Sequence, residues 1–521
     1  MPSSGEAVPL AAQTASPLTL LPDPLLRLIF RNVLSGSRAF PTGKLAWTHT
    51  CRRLRNVALA PEAKDVWGAN VTAIPEALNV FLERARDAPL CVDLEPDDWD
   101  GWKDKSQTLL DLVSEHTAHI ERISVVLPSF SQLDHDTAAR DAKAASCTSF
   151  HAALLDALAG KELPLLKHLD LSYAPYASSP SAPLSSAKPF TAPNLTTLRL
   201  SRQRISADHL YAILRSSLDL QSLSISWTPT DSPTLIQLPL KDAGAPLHMP
   251  NLTDLSLSAH DLPSVLGVWK VLIPCRNVRA SFEASTSDAR EFGSALTALS
   301  PLFYRAGLHN LALHTTADAF TFRMLPKRNL DTSPSLSVTT TTRASNPTTT
   351  PSELLDMFLR FIDSTWLDSL HLDVISLSKP AVSILSGFDT IVEMSCPFSS
   401  RSILYQLASA EVADEDPILP SMGTLTLTSP SSSQQSDASE AGPGPEETRE
   451  KWDVVQRFLK SRAEKSAEVD CVRLMGRAVA ERRGRGVNGS SSAGKKSARE
   501  EDEDGLRAVR GLVSEVVDGR K

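Results

Sequence analysis

The spacing of apolar positions divides the chain into two regimes. Near the start it is helical. Leu25, Leu26, Ile29 and Phe30 recur three and four residues apart, the spacing of one helix face. Asp23 precedes them as a candidate cap, because its carboxylate can accept backbone N–H groups of a first helical turn. Pro24 then takes the first helical position, where its missing N–H costs nothing. Gly36 and Pro41-Thr42-Gly43 punctuate the chain, and a second helix is predicted from about Lys44 to Thr50. A third, Cys51 to Leu59, puts Cys51, Leu54, Val57 and Ala58 on one side; Pro61 stops it and Trp67 closes the segment.

Beyond Trp67 the pattern changes to a short strand signature, apolar-x-x-apolar-x-apolar. It recurs at Ile120/Ile123/Val125, Leu166/Leu169/Leu171, Leu195/Leu198/Leu200, Leu220/Leu223/Ile225 and Leu252/Leu255/Leu257. It continues at Leu308/Leu311/Leu313, Leu367/Leu370/Leu372, Met422/Leu425/Leu427 and Val469/Val472/Leu474, with weaker copies near Val278, Leu336/Val338 and Val392/Met394. The central residues are 29, 25 and 32 positions apart from Leu169 through Leu198 and Leu223 to Leu255. One strand and one return segment per unit is leucine-rich-repeat logic, since no unit can bury its strand face alone. The predicted fold class is α/β (α+β overall), an irregular leucine-rich-repeat-like solenoid with parallel strands. An ordinary α/β domain with alternating helices and buried strands is the other reading of the same residues. The Asn that forms a ladder in regular repeats is seldom present, so the turns must be satisfied by Ser, water or insertions. Three insertions, Tyr176 to Pro193, Thr228 to Pro250 and Thr339 to Pro351, read as exposed loops or disorder.

The domain plan follows. Residues 1–19 form a disordered leader, 20–67 a helical module, and 68–428 the repeat region. A low-complexity linker spans 429–450. Residues 451–480 supply a terminal helix and strand, a candidate last repeat, and 481–521 a disordered mixed-charge tail.

Composition narrows the chemistry. Net charge is −8 over 521 residues, which argues against a general nucleic-acid binder. The six cysteines lie far apart with no CxxC pair, as reduced, mostly buried thiols in an intracellular protein would. No run of ~18 apolar residues marks a membrane span. A cytoplasmic or nuclear location is expected, and the basic clusters Arg482-Arg483 and Lys495-Lys496 are candidates for import. Gly489 to Lys495 has the spacing of a phosphate-binding loop, but Lys496 replaces the hydroxyl residue that reaches magnesium. No HExxH or GxSxG occurs. The chain reads as no enzyme, with no cofactor, catalytic residue or metal site expected.

The N-terminal pattern resembles a known family. Leu21-Pro22-x-x-Leu25-Leu26-x-x-Ile29-Phe30, then Cys51-Arg52-Arg53-x-Arg55-x-x-Ala58 and Trp67, is similar to the F-box, especially its fungal form. The resemblance implies binding to a Skp-type adaptor of a cullin–RING (SCF-type) ubiquitin ligase. It implies that Leu21, Pro22, Leu25, Leu26, Ile29, Phe30, Cys51 and Leu54 serve the adaptor contact and the module's own packing. Pro24 and Leu54 depart from the family's usual acidic residue and Trp. A protein substrate, unnamed by the sequence, would be read by outward strand residues, among them Lys167, His168, Asp170, Arg199, His309 and His371. The alternative is a repeat scaffold with a diverged F-box and no role in ubiquitination.

Overall fold

The computed structural model describes residues 20–36, 52–95, 105–127, 149–150, 153–173, 188–201, 207–226, 246–274, 277–286, 288–303, 307–327, 334–342, 349–398, 403–413, 417–428, 445–476 and 497–520. The leader, the predicted helix from Lys44 to Thr50, Cys51 and the loop-like Gly489 to Lys495 lie outside them. The chain is a mixed α/β protein with mostly parallel strands, dividing into two compact units. One is Met1–Ser232 with Leu247–Leu252; the other is Pro233–Pro246 with Thr253–Lys521.

The first unit opens with helices α1 (Asp23–Gly36), α2 (Arg52–Leu59), α3 (Lys64–Gly68) and α4 (Leu78–Ala85). Then follow β1 (Leu90–Leu94), α5 (Ser106–Glu115), β2 (Ile120–Leu127), β3 (His168–Tyr173), β4 (Thr197–Ser201), α6 (Ala207–Ser216), β5 (Ser222–Ser226) and β6 (Leu247–Met249). Strands β1 to β5 pair in chain order, all parallel. The register aligns Val92, Ile123, Leu169, Leu198 and Leu223 in one row, and Leu94, Val125, Leu171, Leu200 and Ile225 in the next. Every one is buried. Because side chains alternate along a strand, the residues between these rows take the other face.

The first leucine of each signature closes a turn. Leu166 N–H donates to Leu163 O (3.2 Å), Leu195 to Ala192 (3.1 Å), Leu220 to Ser217 (3.2 Å) and Leu252 to Met249 (3.3 Å). The next amides extend the ladder to the preceding strand: Lys167 to Glu121 O, Thr196 to Lys167 O and Gln221 to Thr196 O, each 2.8 Å. Side chains help at places, as where buried Ser217 Oγ donates to Ala192 O (2.9 Å). Backbone pairing, more than the expected serines or insertions, therefore does the work of the missing asparagines.

The helical module has its own core. Leu26 packs with Leu54 and Val57, and Leu21 lies against them. Phe30 meets the Trp67 ring edge-on at 5.4 Å, and Trp67 meets Phe81 at 5.0 Å. The indole Nε1 of Trp67 donates to Ala58 O at 2.8 Å. Gly68 has no room for a side chain, since a Cβ there would stand 2.4 Å from Pro89 O. Thr72 closes the outer edge of β1: its hydroxyl donates to Asp93 O (2.7 Å) and accepts from Asp93 N–H (3.1 Å).

The second unit runs β7 (Asp254–Ala259), α7 (Leu262–Trp269), β8 (Leu272–Pro274), β9 (Arg279–Thr286), α8 (Ala289–Phe303), β10 (Leu308–Thr315), β11 (Ala319–Pro326) and β12 (Ser335–Thr342). It continues with α9 (Pro351–Phe361), β13 (Ser369–Asp373), α10 (Lys379–Leu385), β14 (Glu393–Pro397), α11 (Ile403–Ala413), β15 (Thr424–Thr428), α12 (Pro445–Glu464), β16 (Cys471–Gly476), α13 (Ala498–Arg510) and β17 (Glu515–Arg520). Its strand order is β7-β9-β12-β11-β10-β13-β14-β15-β16-β17. Leu311, Leu370, Met394, Leu425, Val472 and Val516 form one in-register row.

Four expectations are corrected here. Strand β11 runs antiparallel to β10 and β12, so the strands are not uniformly parallel or in chain order. Its Phe320 and Phe322 are buried, and Phe322 stacks on Phe358 at 4.2 Å; an aromatic hairpin is inserted between two parallel runs. The Thr-rich segment from Thr339 is no loop at its start. Thr339 to Thr342 belong to β12, with Thr340 fully buried, because Thr is a good strand former that can alternate faces.

The C-terminal tail is the third correction. Residues 498–510 form a helix and 515–520 a strand parallel to β16. Ser497 and Glu500 cap that helix reciprocally. Arg520 joins Asp502 and Asp518 (2.9 and 2.8 Å), Asp502 also accepts from Trp452 Nε1 (3.0 Å), and charges read as solvated are mutually paired. Likewise, helix α12 begins at Pro445 inside the expected linker.

Two substitutions test this packing. Leu198→Ala should cost about 3 kcal/mol in urea unfolding, while Thr197→Ala beside it should cost less than about 0.5 kcal/mol. At Gly505 a Cβ would stand 2.1 Å from Trp452 Cγ. Gly505→Ala should therefore raise amide exchange across residues 498–520 and leave β1 to β5 unchanged.

Candidate functional site

Two surfaces in the described residues carry polar or apolar groups beyond what the cores need. The first is α1. Its opening amides, Leu25 and Leu26, donate to Pro22 O (3.0 and 3.1 Å). Asp23 is the first helical residue, and its carboxylate accepts from Arg53, which also donates to Leu21 O. This ties α2 to the start of α1. Of the adaptor residues expected from sequence, Leu26, Phe30 and Leu54 are buried in the module itself, and Leu21 is half-buried against it. Pro22 is exposed, Ile29 half-exposed, and Leu25 is 47% exposed. Leu28, absent from the expected set, is 53% exposed, and Leu20 precedes the helix at 73%. The signal for Leu28 was a further apolar residue beside the expected set, on a helix that buries Leu26 and Phe30 among its described side chains. Two half-exposed leucines on one short helix are unusual solvent contacts and mark a surface suited to burial by a partner.

The second surface is the outward face of the strands. In the first unit Arg122 pairs with Asp93, Arg199 lies 3.9 Å from Asp170, and Lys167 joins Glu121 at 2.7 Å. Ser172 donates to Asp170. His168 sits among these groups, its pKa lowered by burial and then by Arg122. In the second unit Arg279 pairs with Asp254, and Arg473 lies 3.4 Å from Glu393. His314 Nδ1 lies 2.9 Å from Asp373, His371 Nδ1 is 3.0 Å from Ser395 Oγ, and His309 Nδ1 is 3.0 Å from Trp366 O. Asp368 holds Lys327 at 3.0 Å. The structure thus gathers His168, Asp170 and Arg199 on adjacent strands of one unit, with Lys167 just before β3, and His309 and His371 on adjacent strands of the other. Acid on one strand faces base on a neighbour, so this face offers hydrogen bonds of both senses with little net charge. The sequence reading missed Asp93, Arg122, His314 and Asp373, whose pairing depends on strand neighbours 29 and 59 residues away.

Among the described residues, burial disfavours the reactive form of the cysteine thiols. Cys91 and Cys396 are buried, and burial pushes their thiols up to about 11 and about 12, away from the thiolate that would react. Among the described residues no group of three or more His, Cys, Asp or Glu is placed to hold a metal ion, and no helix is long and apolar enough to cross a membrane. A scan of the sequence against protein-family models finds no match, and a search of curated proteins finds none either.

Burial lowers the pKa of His168, His209 and His371. The unfolded chain therefore takes up these protons first as pH falls. Stability is full above the unfolded value of about 6.5 and is lost as pH drops through the folded values. Thermal unfolding at pH 7.5 and pH 5.5 should show a lower Tm in acid, and His371→Asn should narrow that difference. An equal or higher Tm at the lower pH would contradict the sign.

Proposed function

We propose that this chain is a recruiting subunit of a cullin–RING ubiquitin ligase. Its N-terminal helices act as an F-box docking on a Skp-type adaptor, and its strand faces hold a protein substrate. The observation that carries this reading is the division of labour on α1. Leu26 and Phe30 hold the module together while Leu25 and Leu28 stand half in water. A helix so arranged supplies hydrophobic anchors at i and i+3 for a partner's groove. The order of Leu21, Pro22, Leu25, Leu26, Ile29, Phe30 and Trp67 supports the assignment of that partner.

The strand units act as irregular leucine-rich-like repeats, a stack in which turn, strand and return segment recur. The turn-closing amides at Leu166, Leu195, Leu220, Leu252, Leu367 and Met422 support this, since each hands a buried apolar residue to the next strand. Such stacks bind through their strand face. The paired acids and bases there favour a polar protein segment over nucleic acid. The chain itself would carry no chemistry; it would raise the local concentration of a substrate lysine at the ligase.

The test is capture of a purified Skp-type adaptor by the full chain. The double variant Leu25→Asp/Leu28→Asp should weaken capture by at least about tenfold, or about 1.4 kcal/mol. Its unfolding transition should be unchanged, because both positions are exposed. Absence of capture by the unaltered chain, or capture indifferent to both substitutions, would overturn the proposal.

A further inference from the structure

The helical module carries a second surface that the adaptor reading does not use. Three of its cations are ion-paired within it. Arg27 lies 3.8 Å from Glu62, Arg53 3.1 Å from Asp23 and Lys64 2.9 Å from Asp87. Arg52, Arg55 and Arg84 have no such carboxylate among the described residues. Arg52 and Arg55 are exposed and three positions apart on α2, and Leu59, 46% exposed, continues the same side one turn on. Arg84, on α4, lies over the face of buried Trp67, with its guanidinium carbon 4.5 Å from the ring centroid. Trp67 is itself fixed to α2 by its bond to Ala58 O.

This stacking holds Arg84 within reach of both the Glu83 carboxylate and the Arg55 charge. Burial holds the Arg84 guanidinium below the ordinary arginine range, the Glu83 carboxylate opposes that, and Arg55 adds a smaller lowering. Arg52 and Arg55 are like charges one turn apart on α2, a mildly destabilising pair that an anion relieves. A guanidinium presents a planar fork that a carboxylate meets with two parallel hydrogen bonds. Fixing the fork on a ring beforehand reduces the ordering cost of binding.

From this geometry we infer that Arg52, Arg55 and Arg84, with Leu59 beside them, form a docking site for an acidic segment of a partner protein bearing an apolar side chain among its carboxylates. Charge complementarity decides the occupant: Arg52 and Arg55, with no ion-paired carboxylate among the described residues, and Arg84 held on Trp67 accompany the exposed Leu59. The site uses other residues than Leu25 and Leu28 and does not depend on the adaptor reading.

The probe is a labelled peptide of glutamates interspersed with leucines, titrated by fluorescence anisotropy into the full chain. The same peptide with lysines for glutamates is the comparison. The glutamate peptide should bind saturably, more weakly as salt is raised, and the lysine peptide should not. Arg55→Glu should weaken binding at least about tenfold. Arg84→Lys, which keeps the charge but loses the fork, should weaken it less. Leu25→Asp should leave it unchanged, so the two surfaces can fail separately. No saturable binding, equal binding of both peptides, or binding undiminished by Arg55→Glu would overturn the inference.

Discussion

A parallel strand cannot bury its apolar side chains alone, and in this protein that constraint organises nearly everything else. Each strand needs a neighbour to pair its amides and a second layer to cover its leucines. The solution is repetitive. A turn closes on an apolar residue, the following amides bond to the strand before, and leucine lands beside leucine. Leu169, Leu198 and Leu223 form such a row in one unit, and Leu370, Met394 and Leu425 in the other. Return segments of different length are tolerated, because register is set at the turn and in the row.

The same constraint decides what remains for function. Positions between the leucine rows face away from the core and are free to vary, so histidines and ion pairs collect there. The edge strand β1 would expose unpaired amides; Thr72, from the end of the helical module, answers part of that demand. A module drawn tight around Trp67 has little core of its own to spend on Leu25, Leu28, Arg52 and Arg55. Those side chains are the module's surface, and their two chemistries, apolar on one helix and cationic on the next, suit two kinds of contact.

Much of this was legible in the residues. The nine full strand signatures all fall on buried positions, because period-two leucines following a turn have few other uses. Strand order was not legible. The β10–β11–β12 hairpin depends on Phe320 and Phe322 finding Phe358, a tertiary event with no local mark. The tail was misread because charge density resembles solvation until Arg520 is seen between Asp502 and Asp518. At the candidate site, the family-like pattern marked Leu25 and passed over Leu28. It also placed Leu26, Phe30 and Leu54 together with the exposed residues, although burial separates them. The Arg84–Trp67 stack joins residues 17 apart in the chain, and only folding brings it beside α2.

The central claim is that α1 is a docking helix whose partner covers Leu25 and Leu28. Hydrogen exchange on the intact chain, with and without saturating Skp-type adaptor, tests it most directly. The account predicts slowed exchange confined to residues 21–32, with strands β2 to β5 unchanged. Unaltered exchange across residues 21–32, or protection that appears on the strands alone, would contradict it.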